Sequence, residues 1–472
     1  MTDANEPGAR GGTRTERDSM GEMAVPADAL YGASTQRAVL NFPISGRPMP
    51  PAFIHALGLV KQAAAETNLE LGLLEPAVAA AVIAAAAEVA AGKHDDAFPI
   101  DIYQTGSGTS TNMNANEVIA HLATERLGAP VHPNDHVNAA QSSNDVIPSA
   151  MQLAAAIEIN RNLLPALEVL HRSLAAKAAE FDPVVKTGRT HLQDATPIRL
   201  GQEFAGYAGQ VEASIRRVRT ALDELLSLPL GGTAVGTGLN MPEGAAAATS
   251  ARLASLTGLA VHETDSHFHA QATLDTVIAA HGALKAIALS LWKIGSDVRL
   301  MAMGPRAGIG ELALPETQPG SSIMPGKVNP VIVESLTMVV ARVVGNDATI
   351  GFSQTGSLLE LNVMMPVAAA ALLESIELLG AAARNFATRA VDGLAATDRG
   401  PQLVEQGLML ATALAPVIGY DAAAKLAKQA LASGRTIREL ALEQGIPSTD
   451  LDVLLDPDRM TRPGSAGGPA GG

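Results

Sequence analysis

The chain contains no cysteine. Disulfides, thiolate metal sites and a cysteine nucleophile are therefore excluded, and the composition fits a reducing cytosol. Aromatic residues make up 3%, with a single tryptophan. Positive charge is also scarce: 33 Lys and Arg stand against 48 Asp and Glu, a formal net charge of −15. An acidic, aromatic-poor chain binds nucleic acid and anionic membrane surfaces poorly. An anionic substrate must then be held by local donors against the global field. A long uninterrupted apolar run is missing too. The nearest approach, residues 77–91, is alanine-rich and broken by Glu88, and it reads as a buried helix rather than a membrane span. The polar, charged stretch from Met1 to Asp18 has no apolar core of the kind a signal peptide needs. These absences predict a cytoplasmic protein with no membrane and no nucleic-acid partner.

What is present is helical periodicity over 472 residues, enough for two or three domains. Phe204, Tyr207, Val211, Ile215, Val218, Leu222 and Leu225 recur at three- and four-residue steps, the face of one helix. Leu274, Val277, His281, Leu284, Ile287, Leu291, Ile294, Val298 and Met301 form a longer stripe. Residues 157–174, 331–344 and 366–391 also read as helices, the first with a possible kink at Pro165. Helices of this length argue for a central antiparallel bundle and a mainly α fold. The missing strand–helix alternation argues against Rossmann and TIM architectures. The Gly-rich runs at 106–109 and 231–238 accordingly lose a dinucleotide-binding reading. The expected organisation is a disordered tail over 1–17, a mixed helix and loop domain over 18–140, a helical-bundle domain over 141–395, a small helical C-terminal domain over 396–461 and a second disordered tail over 462–472.

Four loop segments share hydroxyls, amides and glycine with few charges. The most concentrated is Gly320-Ser321-Ser322-Ile323-Met324-Pro325-Gly326-Lys327-Val328-Asn329-Pro330. Glycine permits close backbone approach to a ligand, and proline stiffens the loop. Hydroxyls, an ammonium and a carboxamide are donors suited to an anion, so the stretch reads as a flap over a small carboxylate. Glu334 follows about one helical turn after Asn329. The second segment holds Ser107, Gly108 and Thr109. The third, Gln141-Ser142-Ser143-Asn144-Asp145, precedes a helical pattern; it serves either as a plain N-cap or as a carboxylate site at a helix N-terminus. The fourth, Gly188-Arg189-Thr190-His191-Leu192-Gln193-Asp194, carries His191, a side chain able to move protons near neutral pH. The cluster from His262 to His269 lacks the i, i+4 His pair of a helical zinc site. His132-Pro133-Asn134-Asp135-His136 reads as a capped turn.

Together these segments resemble the class II fumarase family of the fumarase/aspartase superfamily, from about Asp18 to about Met460. The run from Gly320 to Pro330 matches the superfamily signature. Thr190-His191 and Ser142-Ser143-Asn144 match the fumarase version of their motifs. The resemblance implies a three-domain, mainly α fold whose long central bundle packs into a tetrameric core. Each active site would be shared among three subunits of the homotetramer. It implies reversible hydration of fumarate to L-malate, with His191, Ser321 and Glu334 catalytic. The dicarboxylate substrate would be bound by Ser107, Gly108, Thr109, Ser142, Ser143, Asn144, Thr190, Ser322, Lys327, Val328 and Asn329. His132, Pro133, Asn134 and Asp135 match a second dicarboxylate site. No metal and no organic cofactor is implied. Two departures stand out. Ala139 and Ala140 replace the usual Lys-Ser pair, and His267-Phe268-His269 replaces Lys-Phe-Glu.

Three alternatives make different predictions. An aspartate ammonia-lyase of the same superfamily would turn over aspartate and not malate; His191 and Ser143 count against it. A non-catalytic structural relative would keep the fold and lose the chemistry, whereas Ser321, His191, Lys327, Asn329 and Glu334 are all present here. A metal-dependent hydratase built on the His262–His269 cluster would be silenced by a chelator.

Overall fold

The computed structural model describes residues 12–464, and the fold is mainly α. Strands among the described residues form only two-stranded sheets. Packing divides the chain into two compact units. One comprises Met1–Pro165, Arg216–Ala288 and Ala341–Gly380; the other comprises Ala166–Ile215, Leu289–Val340 and Ala381–Gly472.

In the first unit, alanine sets the spacing between helices. The helices Pro51–Glu70 and Pro76–Ala90 approach so closely that a Cβ on Gly58 would lie 2.6 Å from the Ala90 backbone nitrogen. The same unit holds Thr109–Leu127, Ser143–Glu158 and Ala245–Thr257. Its interior carries a polar link: His281, fully buried, joins Asp347 at 3.1 Å and Ser375 at 2.9 Å. Burial holds the His281 imidazole below its ordinary pKa, with Asp347 opposing. The Ser375 hydroxyl donates to the Ala371 carbonyl and is itself fully buried, so this Ser–His–Asp arrangement is structural.

In the second unit, Phe181, Phe204 and Tyr207 stack edge-to-face at 5.1 and 5.4 Å, an arrangement the ring quadrupole favours. Tyr207 donates to Asp297 at 2.9 Å. The antiparallel hairpin Val185–Thr190 and Gln193–Arg199 rises from this core. A C-terminal group of short helices closes over Leu410, Leu414, Leu426, Ile437, Leu440 and Leu451.

Both apolar stripes fold as expected. The first lies in the helix Leu200–Leu225 and the second ends with the helix Asp275–Met301, and every named stripe residue is buried. Residues 157–174 are helical as expected, with the irregularity just before Pro165: Ser143–Glu158 passes through a π turn at Ile159–Leu163 into Leu164–Glu180. The Pro165 ring lacks an N–H and crowds the preceding turn, which widens to admit it. Two expectations are corrected. The expected tail over 1–17 included Thr13, yet Thr13–Asp18 pairs with Gly21–Pro26. The remainder of that tail up to residue 11, and residues 465–472 of the other, lie outside the described residues. Finally, two helices are long and apolar enough to cross a membrane by length and composition, Asp275–Met301 and Met365–Val391, rather than none. The share of the apolar window buried inside the protein is 44% in the first and 67% in the second.

Candidate active site

In the first unit, two helix N-termini meet through their hydroxyls. Gly108 caps Thr109–Leu127 in the left-handed region, φ +72°, where glycine carries no Cβ penalty. Gly106 is equally constrained: a Cβ there would lie 1.7 Å from the Val363 carbonyl oxygen. The turn thereby brings the Ser107 hydroxyl within 2.8 Å of Thr109 Oγ1, and Thr109 Oγ1 within 2.8 Å of Ser143 Oγ. Ser142 caps the second helix, accepting from the Asn144 N–H, while Asp145 accepts from the Ser142 N–H. Asn144 donates to the Ala234 carbonyl at 2.9 Å. The Ser107–Thr109–Ser143 hydroxyl chain therefore lies at two helix N-termini, where free N–H groups and the helix dipole favour negative charge.

Asp145 locks this arrangement from behind. Its second oxygen accepts from the Gly231 and Thr233 N–H groups at 2.9 and 3.0 Å. Burial raises its pKa, while those hydrogen bonds and Lys61 oppose the shift. Asp145 was legible as part of a motif, but its anchoring of the Gly231–Thr233 loop was not, because 86 residues separate the partners.

His132, Pro133, Asn134 and Asp135 form a separate, largely exposed turn. His132 Nδ1 accepts from the Asp135 N–H at 3.1 Å, and the His132 N–H donates to His136 Nδ1 at 2.9 Å. The capped-turn reading of this segment holds.

In the second unit, His191 and Leu192 form the two-residue tip of the Val185–Arg199 hairpin. Their φ angles are +56° and +59°. Two-residue hairpin loops favour such angles, but usually with Asn-Gly. Histidine tolerates this region better than leucine does, and Leu192 is 72% exposed. Thr190 and His191 are exposed, and His191 makes no hydrogen bond among the described residues. The base of the hairpin is the opposite case. Arg189 pairs with the buried Glu311, which also accepts from the buried Lys186 at 3.1 Å. Glu311 was missed in the sequence; a lone acid in a Gly/Pro-rich segment gives no signal of burial.

The flap from Gly320 to Pro330 is pinched at its neck. The Asn329 amide donates to the Gly320 carbonyl, and a Cβ on Gly320 would lie 2.0 Å from the Lys327 carbonyl oxygen. Ser321 Oγ accepts from the Ile323 and Met324 N–H groups at 3.3 and 3.0 Å. Ser322, Lys327 and Val328 are exposed on the flap, and Glu334 is exposed in the first turn of Val331–Ser353. Among the described residues, no hydrogen bond or ion pair joins His191 to Glu334 or to the flap.

No group of three or more His, Asp or Glu side chains among the described residues is arranged to hold a metal. The His262–His269 stretch is spent on structure instead: His267 contacts Glu263 and the Pro229 carbonyl, and His269 contacts Asp275.

Comparison with known proteins places these features in context. A family profile described as Lyase matches residues 21–345, and one described as Fumarase C C-terminus matches residues 410–462. The chain is 52% identical over 459 residues to Fumarate hydratase class II of Methylorubrum extorquens, covering 96% of this chain and 97% of that protein. It is also 52% identical to Fumarate hydratase class II of Mycobacterium tuberculosis, covering 94% and 95%. Among solved structures, recombinant class II fumarase from Schistosoma mansoni superposes with a TM-score of 0.94 at 39% identity, covering 96% of this chain and 99% of that one. A fumarate lyase:delta crystallin from Brucella melitensis, bound to cobalt, superposes with a TM-score of 0.92 at 43% identity, covering 96% and 100%.

Proposed function

We propose, from the premise that this chain belongs to the class II fumarate hydratases of the lyase family, that it catalyses the reversible hydration of fumarate to L-malate. Starting from L-malate, Ser321 takes the C3 proton. The electron pair moves into the adjacent carboxylate, giving an aci-carboxylate with an extra negative charge. The C2 hydroxyl then leaves as water with a proton from His191, and the C2–C3 double bond of fumarate forms.

The observation that carries this reading is the environment of Ser321 Oγ. A serine hydroxyl is normally protonated and a poor base. Here the oxygen accepts from two backbone N–H groups, the arrangement that stabilises an alkoxide. Lys327 and Asn329 supply donors for the aci-carboxylate; losing one such donor costs on the order of 10²–10³ in rate. Ser107, Gly108, Thr109, Ser142, Ser143, Asn144, Thr190, Ser322 and Val328 orient the carboxylates of the dicarboxylate substrate. His132, Pro133, Asn134 and Asp135 form a second dicarboxylate site, supported by their exposure on one turn.

His191 is assisted by Glu334 of another subunit. The chain acts as a homotetramer in which three subunits contribute to each site. Support comes from large apolar side chains left exposed on two long helices: Trp292 and Leu289 on Asp275–Met301, and Met338, Val344 and Phe352 on Val331–Ser353. Large apolar side chains left exposed along a helix are those that contact with another molecule would cover. The three domains are 18–140, 141–395 and 396–461. The enzyme works in the cytoplasm, a setting the absence of cysteine fits.

The test is an ultraviolet assay of fumarate, started separately with L-malate and L-aspartate in chelator-containing buffer. Fumarate from malate alone is expected. Fumarate from aspartate alone would overturn the assignment, and silence with both would move it to another substrate.

A further inference from the structure

Lys61 lies within the helix Pro51–Glu70, among the buried residues Ala56, Leu57, Val60, Ala63 and Ala64. It is fully buried. A buried ammonium is ordinarily paired with a carboxylate, because removing a charge from water is costly. Lys61 has no such partner within ion-pair distance among the described residues. Its Nζ donates instead to two neutral oxygens, Asn138 Oδ1 at 2.9 Å and Gln141 Oε1 at 3.1 Å. Asp145 faces Lys61 only through space, and burial pulls the Lys61 pKa down to about 7.

Both acceptors belong to the loop that leads into Ser142. The loop is held from every side. Gln141 Nε2 donates to the Val137 and Ala139 carbonyls, and Asn138 Nδ2 donates to the Gln141 carbonyl. Asn112, from the helix Thr109–Leu127, donates to Asn138 Oδ1 at 3.2 Å, and Asn68 donates to the Ala139 carbonyl at 3.0 Å. Within the loop, Ala140 sits in the left-handed region at φ +59°. A non-glycine residue stays there only where its surroundings over-determine it.

We infer that Lys61 is a positioning residue for substrate binding, fixing the 138–141 loop so that Ser142, Ser143 and Asn144 stand ready for a carboxylate. This rests on the reading of that turn as a substrate site. The physical argument is one of mismatch. Removing a charge that is buried without an ionic partner relieves its desolvation cost. A lysine here therefore serves poorly as a stabiliser, and its two contacts both end on the loop.

The test compares Lys61→Met, Gln141→Leu and Ser143→Ala in the full-length enzyme. Readouts are KM and kcat with L-malate, the Kd of succinate as a non-reacting dicarboxylate, and the melting temperature. Lys61→Met is expected to raise KM and the succinate Kd about tenfold, the scale of one lost charge-assisted hydrogen bond. kcat should fall less than KM rises, and the melting temperature should hold or increase. Gln141→Leu, which removes the contact from the loop side, should raise KM similarly. The double variant should add little, as for two residues acting through one contact. A folded Lys61→Met enzyme with unchanged KM overturns the inference, as do additive effects in the double variant. An unfolded Lys61→Met protein also overturns it, because the residue is then structural. Ser143→Ala separates the two levels: an unchanged KM there defeats the reading of the turn, whereas a raised KM there with normal binding in Lys61→Met defeats the role of Lys61 alone.

Discussion

Arg189 grips Glu311 with both terminal guanidinium nitrogens, at 3.0 and 2.8 Å. Arg189 stands two positions before His191, on a strand whose register shifts between Thr187 and Arg189. Glu311 is buried and also accepts from Lys186, while its backbone carbonyl accepts from the Thr397 N–H at 3.1 Å. One carboxylate thus anchors the base of the hairpin whose exposed tip carries the proposed proton donor. A two-pronged pair fixes direction as well as distance, which a lysine at position 189 would not reproduce.

Removing this anchor should be costly. Glu311→Ala strips Arg189 of its paired carboxylate, while the buried Lys186 keeps Glu203 at 2.9 Å; breaking a buried pair by removing one partner costs about 3–5 kcal/mol. Arg189→Lys keeps the charge and loses the fork, so its loss should be smaller. Denaturant unfolding of both variants checks the order. Equal stability of Glu311→Ala and the parent would show that the pair does not hold the hairpin.

Ser321→Ala and His191→Asn should each lower kcat severely while leaving folding and assembly intact. A general acid or base contributes about 10²–10⁴ to a rate. Both side chains lie on loops whose conformation does not depend on burying them. Fumarate production from L-malate, with size-exclusion chromatography of each variant, measures both parts. Near-normal turnover in either variant would remove that residue from the mechanism.

Leu192 is the opposite kind of position. At φ +59° and 72% exposed, it carries left-handed strain with little burial to offset it. Leu192→Gly should relieve strain of about 1–3 kcal/mol, less the entropy that glycine loses on folding. A higher melting temperature is the expected result. A lower one would mean that the leucine is covered in the assembled enzyme.

Stability should also depend on pH through Lys61. Its ordinary pKa of 10.5 falls to about 7 in the folded protein through burial. Between these values the unfolded chain holds a proton that the folded chain has released, so rising pH favours the folded state across this window. The cost of burying the charge is complete below about pH 7. Asp145, from the helix Ser143–Glu158, is the charged group facing Lys61; Asn112, Asn138 and Gln141 around it are neutral. The stability difference between Lys61→Met and the parent should therefore narrow as pH rises from 7 towards 10.5. A difference independent of pH would mean that Lys61 keeps its proton throughout.

Much of this protein was written locally. Helical stripes are readable because apolar residues must recur every three or four positions to share one face; Phe204 to Leu225 and Leu274 to Met301 are buried throughout. The loop motifs were readable because glycine, hydroxyls and amides in short runs have few structural uses in common. The irregularity at 159–163 was legible from Pro165, which has no N–H to give the preceding turn. The two long apolar helices were underestimated because scattered charges such as Lys285 and Lys293 hide an apolar helix from a search for unbroken runs.

By itself, then, the sequence determined the helical class, the segments that carry chemistry and the family to which they belong. Each follows from residues close together in the chain. Tertiary structure alone decided which distant groups support them: Asp145 under Gly231, Glu311 under Arg189, Lys61 under Gln141. Hydrogen bonds and ion pairs form across any sequence separation once packing excludes water. A lone lysine in an alanine-rich helix or a lone glutamate in a loop carries no local mark of the partner it will meet.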